Sequence, residues 1–247
     1  MKGNKVKRKS KGMKIISGVY WDPGRREQNQ DSIALQQAAA GKRRVLLAAV
    51  SDGIGGLKEG ETASGYITER LIENFYGQML SLAGRKKGKH VMERSLLRCL
   101  YDINDALKNY GNGKELRLGA TLSLLFVWKR RYIIVHLGDS RIYLCRKKEM
   151  KLLTKDHSDG GRGLTKCIGS FPFQAPDILT GRIRGECGFL LCTDGFYRKL
   201  SRAAFEVLNP ADIDSEEQTG RRLREMAAIA YKRGEQDNMS AIYAIFR

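Results

Sequence analysis

The sequence predicts an α+β fold in which antiparallel sheets pack against each other and helices cover them on the outside. Three observations predict it. Apolar runs of strand length come in series, then two helical stretches as a block, then more strands and helices, an order unlike alternating βαβ units. The first helical stretch carries Ala63, Ile67, Leu71, Phe75 and Met79 at every fourth position, an amphipathic pattern of about five turns. Across 247 residues there are only 4 prolines, no internal repeat and no low-complexity linker, so the chain reads as one domain with room for a substantial core.

In chain order, residues 1–12 read as a flexible basic tail and residues 13–247 as a single domain. Strands are expected at 14–21, 31–37 and 45–52, where aliphatic and β-branched residues dominate. After the first helix, the polar break from Gly84 to Gly88 leads into a second, with Leu96, Leu100, Ile103 and Leu107 on one face, and the two read as an antiparallel pair. Residues 122–128 and 132–137 flank a short basic turn, a hairpin signal, and 141–146 and 151–153 continue the antiparallel series. Strands at 177–183 and 189–192, a short helix over 202–208, a longer helix over 216–232 and a last strand at 240–246 complete the chain.

Composition narrows the function classes. Hydrophobic content of 42% and charged content of 29% fit a soluble globular protein, and no apolar run nears the roughly 18 residues of a membrane span. The basic N-terminus lacks the apolar stretch of a signal peptide, so a cytoplasmic location is expected. Five cysteines without a C-x-x-C pair argue against a disulfide framework or a structural zinc site. The net charge of +18 would suit an acidic partner, but its basic residues are dispersed over turns and no nucleic-acid motif accompanies them, so no specific nucleic-acid partner is expected.

Three aspartates carry the most chemistry. Asp52 ends the run Leu46-Leu47-Ala48-Ala49-Val50-Ser51, Asp194 follows Phe189-Leu190-Leu191-Cys192-Thr193, and Asp237 precedes Asn238 and the last strand. A carboxylate at the edge of a buried strand costs desolvation energy unless a cation or hydrogen bonds offset it. Taken singly, each is accounted for by ordinary turn chemistry. Together they suggest a hard-metal site assembled from strand ends.

Further segments line up with them: Arg26-Glu27-Gln28-Asn29-Gln30-Asp31, the stretch from Asp52 through Gly53, Gly55, Gly56 and Gly60 to Ser64, Gly119-Ala120-Thr121, Gly138-Asp139-Ser140-Arg141, Asp156-His157-Ser158 and Leu164-Thr165-Lys166-Cys167-Ile168-Gly169. In this order, over residues 15–246, the set resembles the metal-dependent serine/threonine protein phosphatases of the protein phosphatase 2C type, in their compact bacterial branch. The resemblance implies a four-layer αββα sandwich and a cleft holding two Mn²⁺ or Mg²⁺ ions, with a weaker third. It implies that Asp52 bridges the two ions, the Gly53 carbonyl binds one, and Asp194 and Asp237 complete the other. By the same match Asp156 binds the third ion, Arg26 grips the substrate phosphate, Asp31 hydrogen-bonds metal-bound water, and Gln30 and Asn238 support the site. Phosphorylated proteins would be the substrates and an opposing serine/threonine kinase the counterpart. The rival of another class is a catalytically weak phosphoprotein-binding module of the same fold.

Those residue types suit the chemistry. Hydrolysis of a phosphate monoester needs strong charge stabilisation, which two hard cations supply during in-line displacement. A guanidinium binds two phosphate oxygens in one planar contact, which lysine cannot reproduce. Asp139 with Arg141 reads as a structural turn and ion pair, and His136 and His157 as structural histidines. The chain also departs from the family. Ile54 stands where many members have a proposed acid histidine, and Gln30 where many have glutamate. Between Ser158 and Leu164 only a short loop replaces the usual flap subdomain, so the basic surface, Arg162 included, is expected to take over part of its work.

Overall fold

The computed structural model describes residues 12–41, 43–54, 59–85, 88–147, 149–159 and 163–247. The expected basic tail lies almost wholly outside the described residues, as do Gly55, Gly56 and Arg162. Among the described residues, ten strands form two antiparallel five-stranded sheets. The first contains β1 (Ile15–Asp22), β10 (Met239–Phe246), β9 (Cys187–Cys192), β6 (Arg141–Arg146) and β7 (Glu149–Leu152), in that spatial order. The second contains β2 (Asp31–Ala40), β3 (Arg43–Asp52), β4 (Leu122–Trp128), β5 (Arg131–Leu137) and β8 (Asp177–Arg182).

The unbroken apolar runs of the central strands follow from burial on both faces. Side chains alternate along a strand. In β3, Val45, Leu47 and Ala49 face the helices, while Leu46, Ala48 and Val50 face the other sheet. In β10, Ala241, Tyr243 and Ile245 likewise face helices, and Ile242, Ala244 and Phe246 enter the space between sheets. Three apolar cores separated by two sheets make four layers, αββα, as expected.

On the second sheet lie α1 (Gly60–Asn74), α2 (Leu80–Gly84) and α3 (Lys89–Lys114). Between α1 and α2 the chain forms a π-helical segment, Phe75–Met79. The sequence pattern hides this but requires something like it. Residues four apart drift about 40° per step around a helix of 3.6 residues per turn. The wider i→i+5 turn takes up part of that drift, and Ala63, Ile67, Leu71, Phe75, Met79 and Ala83 all stay buried. The first sheet is covered by α4 (Asp194–Tyr197), α5 (Glu216–Lys232) and 3₁₀ segments at Arg202–Leu208 and Pro210–Asp212. The helix expected over 202–208 is thus 3₁₀. Asn209 is extended, as a residue before proline prefers, which ends the segment without another turn.

The antiparallel order fixes which strand ends meet. Pairing of Asp31 with Asp52, of Trp21 with Ser240 and of Ala241 with Cys192 sets the start of β2, the end of β3, the end of β9 and the start of β10 at their sheets' edges. The end of β5, paired through Leu137 with Leu122, delivers the turn of Gly138, Asp139 and Ser140 to the same end.

Candidate active site

At that end opens a cavity of about 740 Å³. Arg26, Gln30, Asp52, Gly53, Asp194, Asp237 and Asn238, all expected from the sequence, line it, together with Thr121 and Asp139.

Asp31 and Asp52 are directly opposed across β2 and β3, so their carboxylates share one neighbourhood. Thr121 sets the end of β3: its Oγ1 accepts from the Asp52 N–H (3.0 Å), and its own N–H donates to the Asp52 carbonyl (2.8 Å). Gly53 then donates to the Gln30 carbonyl (3.0 Å). A Cβ at Gly53 would lie 2.4 Å from the Gly60 carbonyl oxygen, so only glycine fits this corner.

Asn238 secures the loop that carries Arg26. Its side-chain oxygen accepts from the Gln30 N–H (2.9 Å), and its Nδ2 donates to the carbonyls of Pro23 (2.8 Å) and Gln28 (2.9 Å). Gly24, at φ +66°, lets the same loop press on the Asp237 carbonyl. Arg26 reaches across with Nε 3.2 Å from Asp237 Oδ1 while 60% of its side chain stays exposed. Asp194 opens the single-turn helix α4 and pairs with Arg198 four residues on.

The site is short of positive charge. Burial, then the neighbouring Asp31, Asp139 and Asp237, pushes the Asp52 carboxyl well above its ordinary range, with Arg198 opposing them. Asp31, only 1% exposed, is pushed up to about 6, chiefly by burial. Its Oδ2 accepts from the Thr193 hydroxyl (2.8 Å), while Oδ1 has no partner. Burial also raises Asp139, aided by Asp156.

These features fit divalent cations. The metal-binding side chains lining the cavity are chiefly carboxylates, which suit Mg²⁺ or Mn²⁺. Burial first, and then neighbouring carboxylates, hold the Asp52 and Asp31 carboxyls up, and a cation would favour their charged forms. Among the described residues no three acidic, histidine or cysteine side chains crowd into a closed ion cage. An open site that shares an ion with solvent needs none.

Two expected residues stand elsewhere. Asp31 lies behind Asp52 and does not line the cavity. Asp156, expected as a ligand of a third ion, does not line the cavity: Arg141 holds it through Nε (3.0 and 3.2 Å) and Nη2 (2.7 Å). A carboxylate gripped this way has its lone pairs already engaged. Asp139, read from the sequence as a structural turn, faces the cavity instead. His136 is buried, with Nδ1 at 2.9 Å from the Ser123 hydroxyl and Nε2 at 3.0 Å from the Lys155 carbonyl oxygen, and burial lowers it to about 4. In place of a flap, Ser158 and Leu164 form a β-bridge, and Gly163 and Leu164 line the cavity rim.

Comparison with known proteins agrees with this geometry. The sequence model of the family described as protein phosphatase 2C matches residues 24–241. A putative protein phosphatase of Mycoplasma genitalium is 28% identical over 135 residues, 54% of this chain and 50% of that protein. The chain thus aligns with about half the length of that relative. Protein phosphatase PhpP of Streptococcus pneumoniae is 26% identical over 217 residues, 79% of this chain and 84% of PhpP. Among solved structures, a bacterial serine phosphatase superposes with a TM-score of 0.80 at 24% identity, covering 94% of this chain and 97% of the other. The catalytic domain of the serine/threonine protein phosphatase PstP, in complex with 2 manganese ions, gives 0.75 at 24% identity, covering 95% and 99%. The structural likenesses show a shared fold, and the sequence match over most of the chain shows descent: this chain belongs to the protein phosphatase 2C family of serine/threonine protein phosphatases.

Proposed function

We propose that this chain hydrolyses phosphoserine and phosphothreonine monoesters in proteins at the cavity described above, with two Mn²⁺ or Mg²⁺ ions held by Asp52, the Gly53 carbonyl, Asp194 and Asp237, and with Asp139 as a further ligand. The observation that carries this reading is the convergence of four aspartates and Arg26 on one cavity. When bound, the two ions supply an activated water and neutralise charge on the phosphoryl group during displacement. Arg26, exposed and tethered through Nε to Asp237, presents its remaining N–H groups to the substrate phosphate. Asp31 stands behind Asp52, and its unpartnered Oδ1 is the acceptor available there for a proton. Gln30 and Asn238 hold the Arg26 loop against the strand ends. Ile54 offers no acid at the cavity wall, so the leaving serine oxygen takes its proton from solvent.

Residues 13–247 act as one catalytic unit in this reading, because both sheets share the core between them. Among the described residues no helix is long and apolar enough to cross a membrane. Five free cysteines, four of them buried, accord with action in a reducing cytoplasm, opposite a serine/threonine kinase. A phosphopeptide and a small aryl phosphate, each assayed with and without Mn²⁺, test the proposal. Phosphate release that requires the ion and disappears in Asp52→Asn is expected. Binding of phosphopeptide without any metal-dependent release would instead support the phosphoprotein-binding module.

A further inference from the structure

A second guanidinium sits among the carboxylates, and the phosphate-gripping role of Arg26 does not account for it. Arg198 follows the single-turn helix α4. Its N–H donates to the Asp194 carbonyl (2.8 Å) and its side chain pairs with the Asp194 carboxylate. The partners are unequally exposed: the Asp194 side chain is 13% accessible and that of Arg198 50%. The carboxylate is therefore fixed in the cleft, while the guanidinium has room to leave it.

The field of Arg198 extends past Asp194. Among the described residues it is the cation acting on Asp52 against three neighbouring carboxylates, and it acts on Asp139 as well. The other guanidinium near Asp139, that of Arg141, is engaged by Asp156 and Tyr143 and lies over the Tyr197 ring. Arg26 is tied to Asp237. One half-exposed side chain thus offsets charge on Asp194, Asp52 and Asp139 together.

We propose that Arg198 is a built-in counter-cation that competes with divalent ions for Asp194, stabilising the ion-free cleft and weakening ion binding. The inference rests on the metal-dependent reading above. Two effects produce the competition. An Asp194 oxygen engaged by a guanidinium must be released before it can ligate an ion. A positive charge kept within the carboxylate cluster also repels an incoming dication. Solvent access to Arg198 moderates both, which sets the expected size at about tenfold in affinity.

The test is calorimetric titration of the purified full chain with MnCl₂, paired with thermal unfolding in EDTA and at saturating Mn²⁺. Arg198→Met keeps an apolar stem and removes the charge. It should bind Mn²⁺ about tenfold more tightly than wild type, melt at a lower temperature in EDTA, and gain more from Mn²⁺. Arg198→Lys should fall between the two, and carries the comparison together with Arg198→Gln if the methionine variant does not fold. Equal or weaker Mn²⁺ affinity in the neutral variants overturns the counter-cation role. Asp237→Asn keeps the two ideas separable. Loss of Mn²⁺ binding in that variant, with no gain in the Arg198 variants, sinks the counter-cation alone. A wild-type chain that takes up no Mn²⁺ sinks the metal reading and this inference with it.

Discussion

Two polar networks meet at the turn of Gly138, Asp139 and Ser140, and they are wired in opposite ways. On one side Asp156 receives three hydrogen bonds from Arg141, and His157 accepts from the Gly138 N–H (3.1 Å), stacks on His136 and faces Asp177, which Lys166 also pairs. Cations and anions there are matched nearly one to one. On the other side, among the described residues, Asp31, Asp52, Asp139, Asp194 and Asp237 gather with two ion pairs between them, Arg26 with Asp237 and Arg198 with Asp194. A satisfied network holds shape, whereas an excess of sheltered negative charge persists where a cation is to be bound. The comparison separates a structural aspartate from a functional one better than sequence context does.

Removing charge from the unsatisfied side should give the largest functional effect and the least structural damage. Asp52→Asn and Asp237→Asn are each expected to lower metal-dependent turnover by about 10³-fold or more. Their melting temperatures in EDTA should equal or exceed that of wild type, because like-charge repulsion is relieved. If circular dichroism shows Asp52→Asn to be strongly destabilised, the two networks do not differ as described.

Arg26 sharpens the same contrast from the cationic side. Arg26→Ala should reduce kcat/KM for a phosphopeptide by about 10²-fold, and Arg26→Lys should restore only part, since an ammonium cannot make the bidentate contact. With its side chain 60% exposed, Arg26 has little to contribute to the fold, and unchanged denaturant midpoints should accompany the kinetic loss.

The satisfied network should respond the other way round. Arg141→Met leaves Asp156 unpaired beside the cavity and should cost about 1–3 kcal/mol, read as a lower urea midpoint, the partial exposure of both groups holding the figure down. Asp156→Ala should leave calorimetric Mn²⁺ binding close to wild type. A clear loss of an ion in that variant would restore Asp156 to the ligand set and remove the distinction between the two sides.

The layered fold was legible because burial on both faces leaves unbroken apolar strands such as β3 and β4, and the strand ends then carry the polar residues. Asp52, Asp194 and Asp237 were legible as the last or first polar residues of such runs. Asp139 and Asp156 are hard to tell apart in the sequence for a physical reason: each is an aspartate in a turn, and only its partner distinguishes them. A signal did exist. The register of β6 and β7 pairs Tyr143 with Leu152 and, carried on by two residues, sets Arg141 opposite Thr154 and diagonal to Asp156. Arg198 stayed invisible because its role depends on a helix of one turn, too short to give a periodic pattern. The π segment was hidden by the very stripe it serves.

The smallest expected effect is a pH dependence of the ion-free protein, and its sign follows from Asp31. An unfolded aspartate gives up its proton near 3.8, whereas folded Asp31 keeps it to about 6 because burial disfavours the charged form. Between those values the native state binds more protons than the unfolded state, so stability falls as pH rises through this window. Asp52, pushed in the same direction, carries the decline higher. For Asp31 the change is about 2 kcal/mol, from about 1.4 kcal/mol per unit of displacement, reduced for its sharing with Asp52. Urea unfolding in EDTA should therefore show Asp31→Asn gaining on wild type from about pH 4 to about pH 7, although other carboxylates shape both absolute curves. Saturating Mn²⁺ places positive charge beside the pair and should flatten the difference. A gap between the two proteins that stays constant with pH would mean that Asp31 is ionised throughout, and that the cleft is less starved of positive charge than its neighbour across the turn suggests.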